Sequence, residues 1–225
     1  MIQFTKVVKR FPLGNVAVTD LSFTIDDNEF VFLVGPSGAG KTTILKLVTK
    51  ELTPNSGTIL VEDLEITAKH FHDLEKLRRK IGVVFQDFKV LPDKNVWENV
   101  ALSLQIINTP RNLIRSQVNQ ALDLVNIRTK AQMFPIQLSA GELQRVAIAR
   151  AICGNRKIIL ADEPTGNLDP QTTWEIIKIF KKLEGMKTII IATHNTDIVN
   201  SLKKRVLIMK NNRLFKDVHK GGYEL

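Results

Sequence analysis

Residues 35–42 read Gly-Pro-Ser-Gly-Ala-Gly-Lys-Thr. The spacing is G-x-x-x-x-G-K-[ST], the pattern of a loop that wraps a polyphosphate. Backbone N–H groups must close round such an anion, and Gly35, Gly38 and Gly40 carry no Cβ to hold them off. The helix expected from Lys41 turns its unsatisfied N–H groups and positive dipole end toward the phosphates. Lys41 adds a full charge near the β and γ phosphates, and the Thr42 hydroxyl is a ligand for Mg²⁺. Pro36, Ser37, Ala39 and Thr43 complete the set expected to contact the nucleotide. The alternative is a ligand-free glycine turn. Context speaks against it, because an apolar run precedes the loop and a helix with Ile44, Leu45, Leu47 and Val48 on one side follows.

That preceding run, Phe30–Val34, reads as a strand buried on both faces. Working outward, Ile2–Val8, Ala17–Ile25, Thr58–Val61 and Ile81–Phe85 also read as strands, and Phe71–Arg79 as a helix. From Val96 to Ile152 the apolar positions fall three and four apart, the helical spacing. Strands return at Lys157–Ala161, Lys187–Ala192 and Arg205–Lys210, with helices expected over Trp174–Leu183 and Asp197–Leu202. Strands alternating with helices predict an α/β fold with a parallel sheet. The helical middle predicts an inserted subdomain, about residues 87–154, in a core of about 1–86 and 155–225.

The chain has 225 residues, 44% hydrophobic and 24% charged, the balance of a folded domain rather than a disordered or collagen-like chain. Lys plus Arg is 32 against 23 acids, a formal charge of +9 that favours anionic partners without choosing among them. The single cysteine, Cys153, follows an apolar stretch and reads as a buried, inert thiol. No apolar run approaches the ~18 residues that span a bilayer. The N-terminus shows no signal peptide, and the C-terminal Gly221-Gly222-Tyr223-Glu224-Leu225 no lipidation signal.

Three strand ends carry polar groups. The run Lys157–Ala161 ends in Asp162-Glu163, where a cleft at the carboxyl end of a sheet receives ligands. Asp162 is placed to hold Mg²⁺, and Glu163 to take a proton from an attacking water. The bland alternative is two acids capping a strand. Lys187–Ala192 runs on to His194, which either orients the water at a γ-phosphate or is an ordinary loop histidine. The strand at Ile81 runs on to Gln86, whose amide would reach both metal and water, or simply be solvated.

Together these residues resemble the ATP-binding cassette (ABC) ATPases, over essentially the whole chain. The family has a signature near L-S-G-G-Q, and residues 138–145 here read Leu-Ser-Ala-Gly-Glu-Leu-Gln-Arg. The resemblance implies a P-loop NTPase core with a parallel sheet, an antiparallel β subdomain and an inserted helical subdomain. It implies ATP and Mg²⁺ as cofactors, and ATP hydrolysis within a head-to-tail homodimer. Ser139, Gly141 and Glu142 would then meet the γ-phosphate held by the other subunit's P-loop. Ser139-x-x-Glu142 is equally a capping box that needs no ligand. Two positions depart from the family pattern. Ala140 replaces the first glycine, with a Cβ expected to crowd the phosphate or demand another φ/ψ, and Leu143 stands where many members have Gln. Phe11 matches the adenine-stacking aromatic, Gln86 the Q-loop, Asn167-Leu168-Asp169 the D-loop and His194 the switch histidine.

Residues 84–101, Val-Phe-Gln-Asp-Phe-Lys-Val-Leu-Pro-Asp-Lys-Asn-Val-Trp-Glu-Asn-Val-Ala, are similar to the cell-division branch of the family. That resemblance implies an integral membrane partner that controls cell-wall hydrolases. It would dock near Phe88, Leu91 and Trp97, with Val90 beside them, and place the chain peripherally on the cytoplasmic face of the plasma membrane. The alternative within the family is a lipoprotein-releasing or macrolide-exporting complex. No nucleic-acid partner is expected. The clusters Arg78-Arg79-Lys80 and Lys203-Lys204-Arg205 read as solvated surface or as contacts to anionic headgroups.

Overall fold

A computed structural model describes residues 1–12 and 14–219; Leu13 and residues 220–225, including the C-terminal stretch inspected for lipidation, lie outside the described residues. In chain order the elements are β1 (Ile2–Arg10), β2 (Val16–Ile25), β3 (Phe30–Val34), α1 (Lys41–Val48), β4 (Ser56–Val61), β5 (Leu64–Glu65), α2 (Leu74–Lys80) and β6 (Ile81–Val84). Then come α3 (Val96–Gln105), α4 (Arg111–Leu124), α5 (Ala140–Ile152), β7 (Ile158–Asp162), α6 (Pro170–Lys182), β8 (Thr188–Thr193), α7 (Thr196–Leu202), β9 (Arg205–Lys210) and β10 (Arg213–Val218). They fall into two compact units, one of Met1–Arg78 with the chain from Glu184 onward, the other Arg79–Leu183.

The first unit holds an antiparallel sheet, β2-β1-β4-β5, and the strands β10-β9-β3-β8. β3 pairs in parallel with both β8 and β9, and every residue of β3 and β8 is buried, which is why β3 reads as an unbroken apolar run and β8 is apolar from Ile189 to Ala192. In the antiparallel sheet Phe4 stacks on Phe23 with ring centroids 4.7 Å apart. β10 closes onto β9 through Asn211-Asn212, with φ of 50° and 61°, as two-residue hairpin turns require. Arg205, 8% exposed, ties this edge together. Its guanidinium bridges Glu29 at 2.9 and 3.0 Å and Asp217 at 2.7 and 2.9 Å. Those pairs raise its pKa, and the Arg205 bond holds the Asp217 carboxyl below its usual value.

In the second unit β6 and β7 pair in parallel, and α5 packs on α3, α4, α6 and β6. Its second half is buried on every side, Val146, Ala147, Ile148, Ala149, Ala151 and Ile152 all being buried. Cys153 follows it, 1% exposed, its thiol pushed up to about 11 by burial, so it is inert.

The structure adds elements that the pattern lacked and moves some boundaries. α6 begins at Pro170 rather than Trp174, because Asp169 caps it and proline fits the first helical position. α2 begins at Leu74 rather than Phe71, after turns closed by Phe71 N–H to Ala68 O and Leu74 N–H to His72 O. β5 and β10 were not expected; the first is two residues long and the second is mostly exposed and does not alternate.

Candidate active site

In the first unit the P-loop is shaped by backbone. Gly35 has φ 149° and Gly40 has φ 97°. A Cβ on either would lie 2.4 Å from a carbonyl oxygen, that of Met209 or Ala17. Neither carbonyl can move without breaking a strand, so only glycine fits. Gly40 is the N-cap of α1, and among the described residues no side chain caps that end. Its first-turn N–H groups are therefore open to an external anion. Lys41 is buried, and its Nζ donates to Gly35 O at 2.7 Å and Pro36 O at 3.2 Å. Pro36, Ser37, Gly38 and Thr42 are exposed, Ala39 is buried and Thr43 half-buried.

Val34 pairs with Thr193, so Gly35 and His194 leave adjacent parallel strand ends side by side. His194 is exposed there, and Asn195 caps α7 behind it. Phe11 is exposed too, with Lys9 Nζ 5.5 Å from its ring centroid, so it is not a core residue.

In the second unit Val84 pairs with Ala161, and the next residues on each strand lead to Gln86 and to Asp162-Glu163. Glu163 takes a left-handed φ of 46°, a conformation that costs roughly 1 kcal/mol or more and turns the chain sharply off β7. Gly166 N–H closes this turn on Glu163 O at 3.1 Å. A Cβ on Gly166 would lie 3.5 Å from Gln86 Nε2 and 3.7 Å from Glu163 Cβ. Asn167 Nδ2 donates to Gln86 O at 3.5 Å. The structure thus gathers Gln86, Glu163 and the D-loop around one turn.

The signature stretch opens α5 with the expected capping box. Ser139 Oγ accepts from Glu142 N–H at 3.3 Å, and Glu142 Oε2 accepts from Ser139 N–H at 3.0 Å. Lys130 Nζ pairs with the other carboxylate oxygen. Lys130 first, and the Ser139 N–H second, hold the Glu142 carboxyl below its ordinary range. The altered backbone expected of Ala140 is not found. It is the first residue of the helix, exposed, and not among the positive-φ residues.

Phe88, Val90, Leu91 and Trp97 are half-buried. Phe88 and Lys89 both have left-handed φ, 58° and 50°, and Arg150 of α5 donates to both their carbonyls. Asn99, fully buried, knots the following loop. Its Nδ2 donates to Leu91 O, Lys94 O and Asn95 O, and its Oδ1 accepts from Leu91 N–H at 2.8 Å. Sequence reading missed Asn99 and Arg150, although an asparagine inside a helical stretch, directly before Val100-Ala101, was a signal. It also misread one basic cluster: Arg205 is buried against Glu29 and Asp217, and Lys204 pairs with Glu184.

A phosphate loop, a carboxylate pair on a strand end and a capped signature helix define an ABC cassette. The chain belongs to the ABC transporter family, whose sequence model matches residues 18–166, and it is an ATPase of that family. It is 45% identical over 224 residues to the "Cell division ATP-binding protein FtsE" of Bacillus subtilis, covering 99% of this chain and 98% of that one. To the protein of the same name from Streptococcus pneumoniae it is 43% identical over 225 residues, 99% and 97% of the two chains. Among solved structures it is similar to the dimeric bacterial ABC transporter cassette MJ0796, with TM-score 0.88 and 33% identity over 99% of this chain and 100% of that one. The same cassette in a post-hydrolysis state bound to ADP and Pi matches with TM-score 0.88 and 32% identity, again over 99% and 100%. Among the described residues no helix is long and apolar enough to cross a membrane.

Proposed function

We propose that this ATPase is the nucleotide-hydrolysing subunit of a cell-division complex, coupling ATP-driven dimer closure to an FtsX-type membrane partner that controls cell-wall hydrolysis. The observation that carries this reading is identity of 40–45% to proteins named FtsE over nearly their whole length. The partner docks at Phe88, Leu91 and Trp97, whose half-buried side chains leave apolar edges for a helix to cover. The chain works on the cytoplasmic face of the plasma membrane, held there by that partner. The inserted helical subdomain of about 87–154 carries both the docking segment and the signature.

The chemistry divides among the residues as follows. Gly35 to Thr43 cradle the phosphates, Lys41 neutralises the β and γ groups, and Phe11 stacks on adenine. Thr42, Gln86 and Asp162 offer a hydroxyl, an amide oxygen and a carboxylate, a donor set that suits a hard ion such as Mg²⁺. When bound, that ion would neutralise charge on the β and γ oxygens. Glu163 accepts a proton as the water oxygen bonds to the γ-phosphorus. The bond to the β–γ bridging oxygen breaks and ADP leaves with the electron pair. Gln86 and His194 orient the water. Ser139, Gly141 and Glu142 of one protomer complete the site of the other, so ATP binds the closed dimer better than the open one.

Glu163→Gln removes the base and keeps the shape. It should hold ATP while hydrolysis falls by about two orders of magnitude or more. That variant, with ATP, is the bait for a pull-down from native membranes. Co-purification of a polytopic membrane protein with a large extracytoplasmic loop, together with wall hydrolases, is expected. Recovery of a lipoprotein- or drug-export subunit, or of nucleic acid without membrane protein, would sink the cell-division reading.

A further inference from the structure

The two residues after Ser139 are not equivalent. Ala140 carries a Cβ on exposed, ordinary helical backbone. Gly141 is in the same helical turn and has no positive φ, so its own conformation does not call for glycine. A neighbour does. A Cβ on Gly141 would stand 2.4 Å from Cγ2 of Thr172. A threonine could relieve such a clash by turning its side chain, but this one is fixed. Thr172 lies in the first turn of α6, its N–H donates to Asp169 Oδ1 at 3.0 Å, and its hydroxyl helps hold that carboxyl below its ordinary range. A β-branched side chain in a helix has few χ1 wells, and the one taken here aims the methyl at Gly141. One turn further along, Arg145 of α5 donates to Glu175 of α6 at 2.6 Å and to Val125 O at 2.8 Å. The two helices are thus tied at their beginnings by a methyl seated on a glycine and, a turn on, by an ion pair.

We propose that Thr172 is a positioning residue for ATP hydrolysis. It joins the D-loop carboxylate of Asp169 to the first turn of α5, so that the signature end and the D-loop move as one piece. The proposal rests on the reading of the Ser139 end of α5 as part of the ATP site. It gives the glycine at 141 a second reason, the seat for Thr172, beside its place in the ATP site. A helix end presents its N–H groups usefully only while its direction is held, and small misplacements are costly in rate.

The test uses the full chain, with thermal midpoint and steady-state ATPase as readouts. Gly141→Ala should lower the midpoint and cut the rate by about tenfold or more. Adding Thr172→Ser removes the methyl and keeps the hydroxyl, so the double variant should regain the midpoint and turn over faster than Gly141→Ala alone. Thr172→Val keeps a methyl and the N–H bond to Asp169 and loses only the hydroxyl. It should lower kcat while KM for ATP stays within about twofold, because binding is not what the seat controls. Two results overturn the proposal: a Gly141→Ala midpoint equal to wild type, or a double variant whose midpoint recovers while its rate stays as low as that of Gly141→Ala. Ser139→Ala separates this from failure of the underlying reading. A wild-type rate in that variant would remove α5 from the ATP site, and the midpoints of the other variants would still decide whether Thr172 seats on Gly141.

Discussion

Two helices in this molecule begin at stretches assigned to phosphate, and they are built in different ways. α1 starts at Gly40, whose left-handed φ no ordinary side chain adopts easily, and its end is uncapped by any described side chain. What crowds Gly35 and Gly40 is backbone, the carbonyls of Met209 and Ala17. α5 starts at Ser139, its Glu142 N–H already taken by the Ser139 hydroxyl, and what crowds Gly141 is a side chain. Backbone in a strand cannot give way; a side chain can be exchanged. The first helix end therefore admits one sequence pattern and the second admits several. The P-loop fits its motif at every fixed position, while the signature keeps the crowded Gly141 and departs at the exposed Ala140 and at Leu143.

The largest effect is expected where the backbone decides. Gly40→Ala must strain φ and push a Cβ into Ala17 O, a combined cost of at least about 3 kcal/mol. ATP binding should vanish with the loop geometry. Denaturant unfolding measures the first and titration with a fluorescent ATP analogue the second; a variant as stable as wild type that still binds would break the contrast. At the other helix end, Ser139→Ala removes a side-chain cap and should cost about 1 kcal/mol, the usual value of such caps. A loss as large as that of Gly40→Ala would mean that α5 is as rigidly specified as the P-loop.

The same contrast explains what could be read in the sequence. Local determinants were legible. Phe30–Val34 and Arg205–Lys210 fold over the expected bounds, because the apolar runs Phe30–Val34 and Val206–Met209 make buried strands. The P-loop and the capping box are local too, and so were found with their residues named. Tertiary determinants were not. Thr172 matters because it meets Gly141, Asn99 because it gathers the carbonyls of Leu91, Lys94 and Asn95, and Arg150 because it reaches Phe88 and Lys89. No periodicity encodes those meetings. Arg205 is the clearest case. In sequence it ends a basic run, yet Glu29, just before β3, and Asp217, on β10, pair with it and bury it.

Acid should separate the two helix ends. The Glu142 pKa is lowered from its ordinary 4.5, by Lys130 first and by the Ser139 N–H second. A carboxyl depressed in the folded state contributes stability that is whole above its unfolded pKa and is lost as the pH falls through the folded one. The first turn of α5 should therefore loosen below pH 4.5. Residues 35–43 contain no acid, so the start of α1 has nothing of its own to titrate there. Amide hydrogen exchange, corrected for the intrinsic pH dependence, should lose protection at Glu142 and Leu143 before it does at Ile44. Simultaneous loss would mean that global unfolding precedes local opening and that the cap carries no separate stability.

The smallest effect is expected at Ala140, and it bears most directly on what the signature end tolerates. Ala140→Gly restores the residue that the family pattern favours. It removes one exposed methyl from the first helical position and should cost no more than about 0.5 kcal/mol, the lower end of the Ala-to-Gly range. If the Cβ at 140 lies clear of the phosphate, as exposed helical backbone with no left-handed φ suggests, ATPase turnover should stay within about twofold of wild type, below the tenfold that 1.36 kcal/mol of barrier would produce. A tenfold rise would mean that the methyl does obstruct the transition state. The alanine would then be a brake set into the signature, and the tolerance ascribed to this helix end would hold for folding and not for catalysis.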